Sequence, residues 1–328
     1  NTSAAAASIT NQSTSLSRSR IATTQPTPTG NTTWPRTCPL VHALGLSLVH
    51  WCTLTDAHSL TYSSGGVKKI VLNNPEKLNA LTVDMGEQFT KVIDELNGMS
   101  DLRAVVLTGE GRAFSAGGDL DWLMERTKST PKQNMDIMVQ FYNRFLSIRS
   151  LPVPTIAAIN GPAIGAGMCV ALACDVRVAS AKAKLGFTFA TLGIHPGMGA
   201  SHFLPIVAGP ETAHRLLFSG GIVGGADAKE MRFVSQVEET GEEALEAALE
   251  LAHSMANAAP LAVGTCVSTL RAQQNLGLEA ALLREASSQA ACYASSDFIE
   301  GLNAIVEKRA PVFVGESEGG DDSSTLAA

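Results

Sequence analysis

"AINGPAIGAGMCVALACD", residues 158–175, decides how this chain is read. Gly161, Gly165 and Gly167 lie between a β-rich run, "TIAAIN" (155–160), and a helical one. A helix start alone does not need three glycines so close together. The spacing predicts a backbone that something approaches closely, and the expected visitor is an acyl oxygen. Nothing in the stretch carries charge before Asp175.

A second segment repeats the design. "GRAFSAGGDLDWL" (111–123) follows the β run "RAVVLTG" (103–109), much as "GPAIGAGMCVALACD" (161–175) follows the next one. Each joins a strand end to a helical run through small residues. At such a junction several N–H groups have no intrahelical partner, and the helix dipole adds partial positive charge. Two such ends meeting form a pocket of backbone donors suited to a carbonyl oxygen that becomes an oxyanion.

Competing readings of these glycines are weaker. A dinucleotide fingerprint G-x-G-x-x-G fails because Val170 stands where the third glycine belongs, and no G-K-[ST] marks a phosphate-cradling loop. A serine-hydrolase elbow is nearly met by residues 113–117, with Ser115 as its nucleophile, but Ala113 occupies the place of its first glycine. The plainest alternative is that the glycines only permit tight packing.

Around these segments the pattern alternates. "VKKIVLNN" (67–74) predicts a strand, 82–98 an amphipathic helix, 134–148 another helix, and "VRVAS" (176–180) a further strand. From about 197 onward helices dominate. "EEALEAALELAHSMA" places Leu245, Leu249, Ala252 and Met255 on one stripe. This order predicts an α/β fold, a βαβ core followed by a helical C-terminal part.

Composition narrows the function. The 328 residues are 45% hydrophobic and 17% charged, enough for a sizeable core. A net charge of −7 without a basic run argues against nucleic acid as a partner. No stretch approaches the twenty apolar residues of a membrane span. The six cysteines form no C-x-x-C pair, which indicates a reducing compartment and no metal site. Residues 1–55 hold no Asp or Glu, many Ser and Thr, and Arg18, Arg20 and Arg36. That composition predicts a transit segment over 1–57, mitochondrial or alternatively plastid. "GESEGGDDSSTLAA" (315–328) belongs to an acidic tail, 314–328, expected to be disordered.

Taken together, the segments resemble the enoyl-CoA hydratase/isomerase (crotonase) superfamily. "NNPEKLNALT" (73–82) is similar to its first CoA-contacting loop and "AFSAGGDL" (113–120) to its first oxyanion segment. "AAINGPAIGAGMCVALACDVRVAS" (157–180) is similar to the second, and "LGIHPGMGASHFLPIVAG" (192–209) to the loop and helix after it. "SSDFIEGLNAIVEKRAPVF" (295–313) is similar to its C-terminal signature.

The resemblance implies a ββα spiral core over 58–260 and a C-terminal helical region over 261–313 that packs in homotrimers, often paired as hexamers. It implies an acyl-CoA substrate, with no cofactor beyond the coenzyme A thioester itself. The oxyanion hole would be the N–H groups of Ser115 and Ala166. Lys77, Ala80, Ala113, Ala116, Gly117, Asp119 and Gly165 would lie along the ligand.

The match departs at the chemistry. The positions of the two glutamates that serve hydratases as acid and base fall on Cys169 and Phe189, which would touch the substrate without moving protons. His195, in "GIHPG", is the replacement acid or base that the sequence offers. A binding protein without catalysis is the alternative reading.

Overall fold

The computed structural model describes residues 60–62 and 66–313. The expected transit segment and acidic tail lie outside the described residues. In chain order the elements are β1 (Leu60–Tyr62), β2 (Val67–Leu72), α1 (Val83–Asn97), β3 (Ala104–Gly109), α2 (Leu120–Glu125) and α3 (Pro131–Leu146). Then come β4 (Thr155–Ile159), β5 (Ala163–Ile164), α4 (Ala166–Ala173), β6 (Val176–Ser180), β7 (Lys184–Gly186), α5 (Ala200–Ala208) and α6 (Pro210–Ser219). The last are β8 (Ile222–Gly224), α7 (Gly225–Glu230), β9 (Gln236–Glu238), α8 (Gly241–Ala256), α9 (Pro260–Gln274), α10 (Leu278–Cys292) and α11 (Ser296–Glu307).

Six strands form one sheet in the order β1-β2-β3-β4-β6-β9, parallel except for the β1–β2 pair. Parallel strands need crossovers, and here each crossover contains a short second strand, or a single bridging residue in its place, and then a helix. Those second strands gather in another sheet, β5-β7-β8, which isolated bridges extend: Ser115 pairs with Ala163, and Leu81 with Gly118. The result is the crotonase-like ββα spiral, in which each turn repeats strand, short strand and helix. Successive turns stack, so segments distant in sequence become neighbours: residues 78–81, then 113–118, then 162–166.

The strands pack between two apolar layers. On one side Val106, Ile156, Ala158 and Val178 meet α8. The stripe that α8 buries is Ala244, Ala248 and Ala252, while the expected Leu245, Leu249 and Met255 lie at its partly buried flank. Alanine allows the closest helix–sheet approach, and the larger residues fill the sides. On the other side Leu107, Phe114, Ile159, Met168 and Phe187 join the main core. The expected mostly helical second half also contains β8 and β9, each of only three residues, too short for a period-two pattern to show.

Helix α4 explains the missing charge. Its residues from Gly167 to Ala173 are all buried, so no face of it meets water. The first charge after it, Asp175, closes a clamp. Its carboxylate accepts from Thr155 N at 2.8 Å, Thr155 Oγ1 at 2.9 Å and Arg271 Nε at 2.8 Å. Arg271, buried on α9, also donates to the carbonyls of Arg149, Leu151 and Val153. One guanidinium thus ties the C-terminal helices to the start of β4. Burial alone would raise the Asp175 carboxyl, but the Arg271 and Thr155 hydrogen bonds and the Arg271 charge carry it below the ordinary value.

Removing one side of this clamp leaves the other buried and unpaired. Arg271→Ala is expected to cost about 3–5 kcal/mol in urea unfolding. The pH dependence follows from a lowered folded-state pKa. The stability Asp175 contributes is complete above its unfolded value of about 3.9 and fades as pH falls through the folded one. The stability difference between wild type and Asp175→Asn should therefore shrink as urea titrations move from neutral to strongly acid pH.

Candidate active site

The spiral brings the two glycine-rich segments side by side. Ser115 N donates to Pro162 O at 3.1 Å, and Ile164 N donates back to Ser115 O at 2.9 Å. At Gly167 an added Cβ would stand 2.6 Å from Ser115 O and 2.7 Å from Ser115 Cβ. A Cβ at Gly161 would collide with Arg112 O. What forbids side chains at Gly161 and Gly167 is therefore the 112–115 backbone, not a ligand. For these two glycines the packing reading is the right one.

The loop before them is held by a side chain that sequence reasoning passed over. Asn79 is fully buried in a left-handed conformation (φ +55°) that asparagine tolerates. Its Nδ2 donates to Glu110 O at 2.9 Å and Ala113 O at 2.8 Å, and its Oδ1 accepts from Asn74 N at 2.8 Å. Ser115 Oγ donates to Asn79 O at 2.8 Å. The hydroxyl is a brace between two spiral turns. It is no exposed nucleophile, which disposes of the hydrolase elbow.

Following each amide along 115–119 shows which one is free. Ser115 N goes to Pro162 O, Ala116 N to Leu78 O at 2.9 Å, Gly117 N to Ser115 Oγ at 3.2 Å, and Asp119 N to Leu81 O at 3.2 Å. Among the described residues Gly118 N has no partner. In the Leu81–Gly118 bridge the flanking residues make the hydrogen bonds, so the groups of Gly118 point the other way. Ala166, the first residue of α4, likewise has an unpartnered N–H. The two are close, since a Cβ at Gly117 would lie 3.6 Å from Ala166 N.

Both residues line a cleft of about 590 Å³. Lys77, Ala80, Ala116, Gly117, Asp119, Gly165 and Phe189 line it as well, as expected. Four expected site residues do not. Ser115 is buried behind the lining with its amide spent on Pro162. Ala113 is buried, its carbonyl taken by Asn79. Cys169 is fully buried inside α4, and burial pushes its thiol well above the usual range, so it stays protonated. His195 turns its ring back on its own loop, with Nδ1 2.6 Å from Pro196 O, and burial lowers its pKa.

The donor that sequence reasoning missed is thus Gly118, three residues beyond Ser115. The Gly117–Gly118 pair was its only visible signal.

The mouth carries an ion pair. Lys77 Nζ lies 3.1 Å from Asp119 Oδ2, and Asp119 also caps α2 by accepting from Trp122 N at 3.0 Å. Burial raises the Asp119 carboxyl, but the bonds from Trp122 and Lys77, with the Lys77 charge, bring it below its ordinary value.

The carboxylates lining the cleft are Glu76, Asp119 and Asp121. Glu285 is buried in the vicinity of Cys169, close enough for its charge to be felt there. However, its oxygens are occupied by Gly199 N at 2.7 Å, Ser201 N at 2.9 Å and Ser201 Oγ at 2.5 Å at the start of α5, and it does not line the cleft.

A spiral of this kind with unspent amides from two adjacent turns defines a crotonase-fold protein. The sequence profile described as enoyl-CoA hydratase/isomerase matches residues 62–316. The chain is 35% identical over 249 residues to a putative enoyl-CoA hydratase of Thermus thermophilus, covering 76% of this chain and 98% of that protein. It is 34% identical over 259 residues to the mitochondrial methylglutaconyl-CoA hydratase of Mus musculus, covering 76% and 80%. An enoyl-CoA hydratase structure from Mycobacterium avium subsp. paratuberculosis superposes with a TM-score of 0.70 at 27% identity, covering 79% of this chain and 99% of that one. The chain belongs to the enoyl-CoA hydratase/isomerase family.

A methyl group at Gly117 tests the construction. That residue has φ +96°, and a Cβ would press on Ile164 O at 2.7 Å. Gly117→Ala is expected to separate the two turns, lowering stability by about 1–3 kcal/mol in urea titration.

Proposed function

We propose that the cleft binds an acyl-CoA thioester with its C=O oxygen between the N–H groups of Gly118 and Ala166. The observation that carries this reading is that both amides are unspent and both residues line the cleft. When charge moves onto the thioester oxygen in an enolate, two fixed donors stabilise it without reorganising. Lys77 and the other exposed residues at the mouth then face the coenzyme A portion.

The reaction class is that of the family: addition to, or isomerisation of, an acyl-CoA through an enolate. By the resemblance of its motifs, the chain carries Cys169 and Phe189 where family hydratases have their two glutamates. A buried protonated thiol and a phenyl ring move no proton, and each missing acid or base forgoes about 10²–10⁴-fold. The site therefore supports stabilising an enolate whose α-proton passes to solvent water or hydroxide, rather than rapid hydration. A protein that binds acyl-CoA without turning it over is the second reading, and the same two side chains favour it.

The acid-free N-terminus, together with the mitochondrial relative, supports a mitochondrial location for this protein. Exposed apolar side chains on the C-terminal helices, Leu261 on α9 and Val306 on α11 among them, support assembly as a homotrimer.

Proton exchange at the thioester α-carbon in D2O, followed by NMR or mass spectrometry, tests the enolate directly. Wild type is expected to exchange it, and Gly118→Pro, which deletes one donor, to slow it by about 10²–10³-fold. His195→Ala should leave it unchanged, because its side chain does not reach the cleft. Binding of acyl-CoA without exchange would establish the second reading. No binding of any CoA ester would overturn both.

A further inference from the structure

The lining of the cleft divides by burial. Its charged residues Glu76, Lys77, Arg112 and Asp121 are exposed, and Asp119 is paired with Lys77. The deep lining is Leu123, Met138, Phe141, Phe189, Ile194 and Tyr293, with no charged side chain among them. One wall is flat. The rings of Trp122 and Phe141 stack with centroids 4.4 Å apart and planes inclined by 24°.

The polar atoms at this end form a neutral set. Gln289 Oε1 accepts from Tyr142 OH at 2.7 Å and from Tyr293 OH at 3.3 Å, while its Nε2 donates to His195 O at 2.8 Å. Burial pushes both phenols above their ordinary values, so they stay uncharged. Arg126, whose charge is felt at the Tyr293 phenol, is not among the lining residues. Its guanidinium lies over the Trp122 ring at 4.9 Å, with Nε donating to Trp122 O at 3.2 Å and Nη2 paired with Glu125 Oε2 at 3.7 Å.

An acyl group entering this end exchanges water for aromatic faces, sulfur and aliphatic carbon. A flat apolar body gains the most area there and can stack on the ring wall. A terminal carboxylate loses its hydration and finds no cation.

We propose that the site selects thioesters whose acyl group is uncharged and carries an aryl or similarly broad apolar body, and excludes acyl chains that end in a carboxylate. The proposal rests on the acyl-CoA reading above and names its substrate class.

Calorimetric titration of the full chain with phenylacetyl-CoA, butyryl-CoA and glutaryl-CoA tests it. Phenylacetyl-CoA is expected to bind about 10-fold more tightly than butyryl-CoA, and glutaryl-CoA to be the weakest, at least about 100-fold behind phenylacetyl-CoA. In Trp122→Ala, at a partly buried position, with folding checked by urea titration, the phenylacetyl advantage over butyryl should fall by about 10-fold. Equal affinities, or glutaryl-CoA binding tightest, would overturn the selectivity while leaving the acyl-CoA reading in place. Failure of all three to bind would remove the acyl-CoA reading, and the selectivity with it.

Discussion

The structure turns on where main-chain amides are spent. In residues 115–119 four of five N–H groups are consumed, three in tying one spiral turn to the next and one on the Ser115 hydroxyl, and only Gly118 keeps its donor. A buried N–H without a partner is costly, so a fold normally leaves one only where water or a ligand can reach it. Here the spare donor meets a second one at Ala166, at the start of a helix whose other residues are buried. The braces that make this possible are Asn79 and Ser115, polar side chains whose bonds go entirely to the backbone beside them.

The same economy shapes the rest of the cleft. Its buried carboxylate is committed, Asp119 to a helix cap and to Lys77, and Glu285 behind it to the start of α5, while Glu76 and Asp121 are exposed. What remains at depth is aromatic and aliphatic, with neutral amide and phenol groups bonded to each other. On the acyl-CoA reading proposed above, such a site stabilises developing negative charge on one oxygen, and its selectivity comes from shape and from the cost of dehydrating charge.

Much of this was legible in residues alone. The strands at 67–72, 104–109, 155–159 and 176–180 announced themselves by apolar runs, and the α1 and α3 helices by their spacing. The two small-residue segments marked the site, because few other functions use so many glycines at two strand ends. Yet legibility stopped at the level of the single atom. Ser115 and Gly118 are three residues apart in the same segment, and nothing local says which amide a neighbouring turn will claim. Pro162 and Leu78 make that choice from 47 and 38 positions away. The thiol of Cys169 and the ring of His195 pose the same problem. A cysteine one turn into a helix could face a pocket or a core, and α4 faces core on every side.

By itself, then, the sequence determined the α/β class, the family and the two segments that build the cleft. These follow from local pattern and residue identity, which travel with the chain. Only the tertiary structure decided which amides stay free, which side chains line the cavity, and that the deep end carries no charge. Those properties belong to contacts between spiral turns, and a hydrogen bond accepted from a distant strand leaves no trace in the residue that donates it.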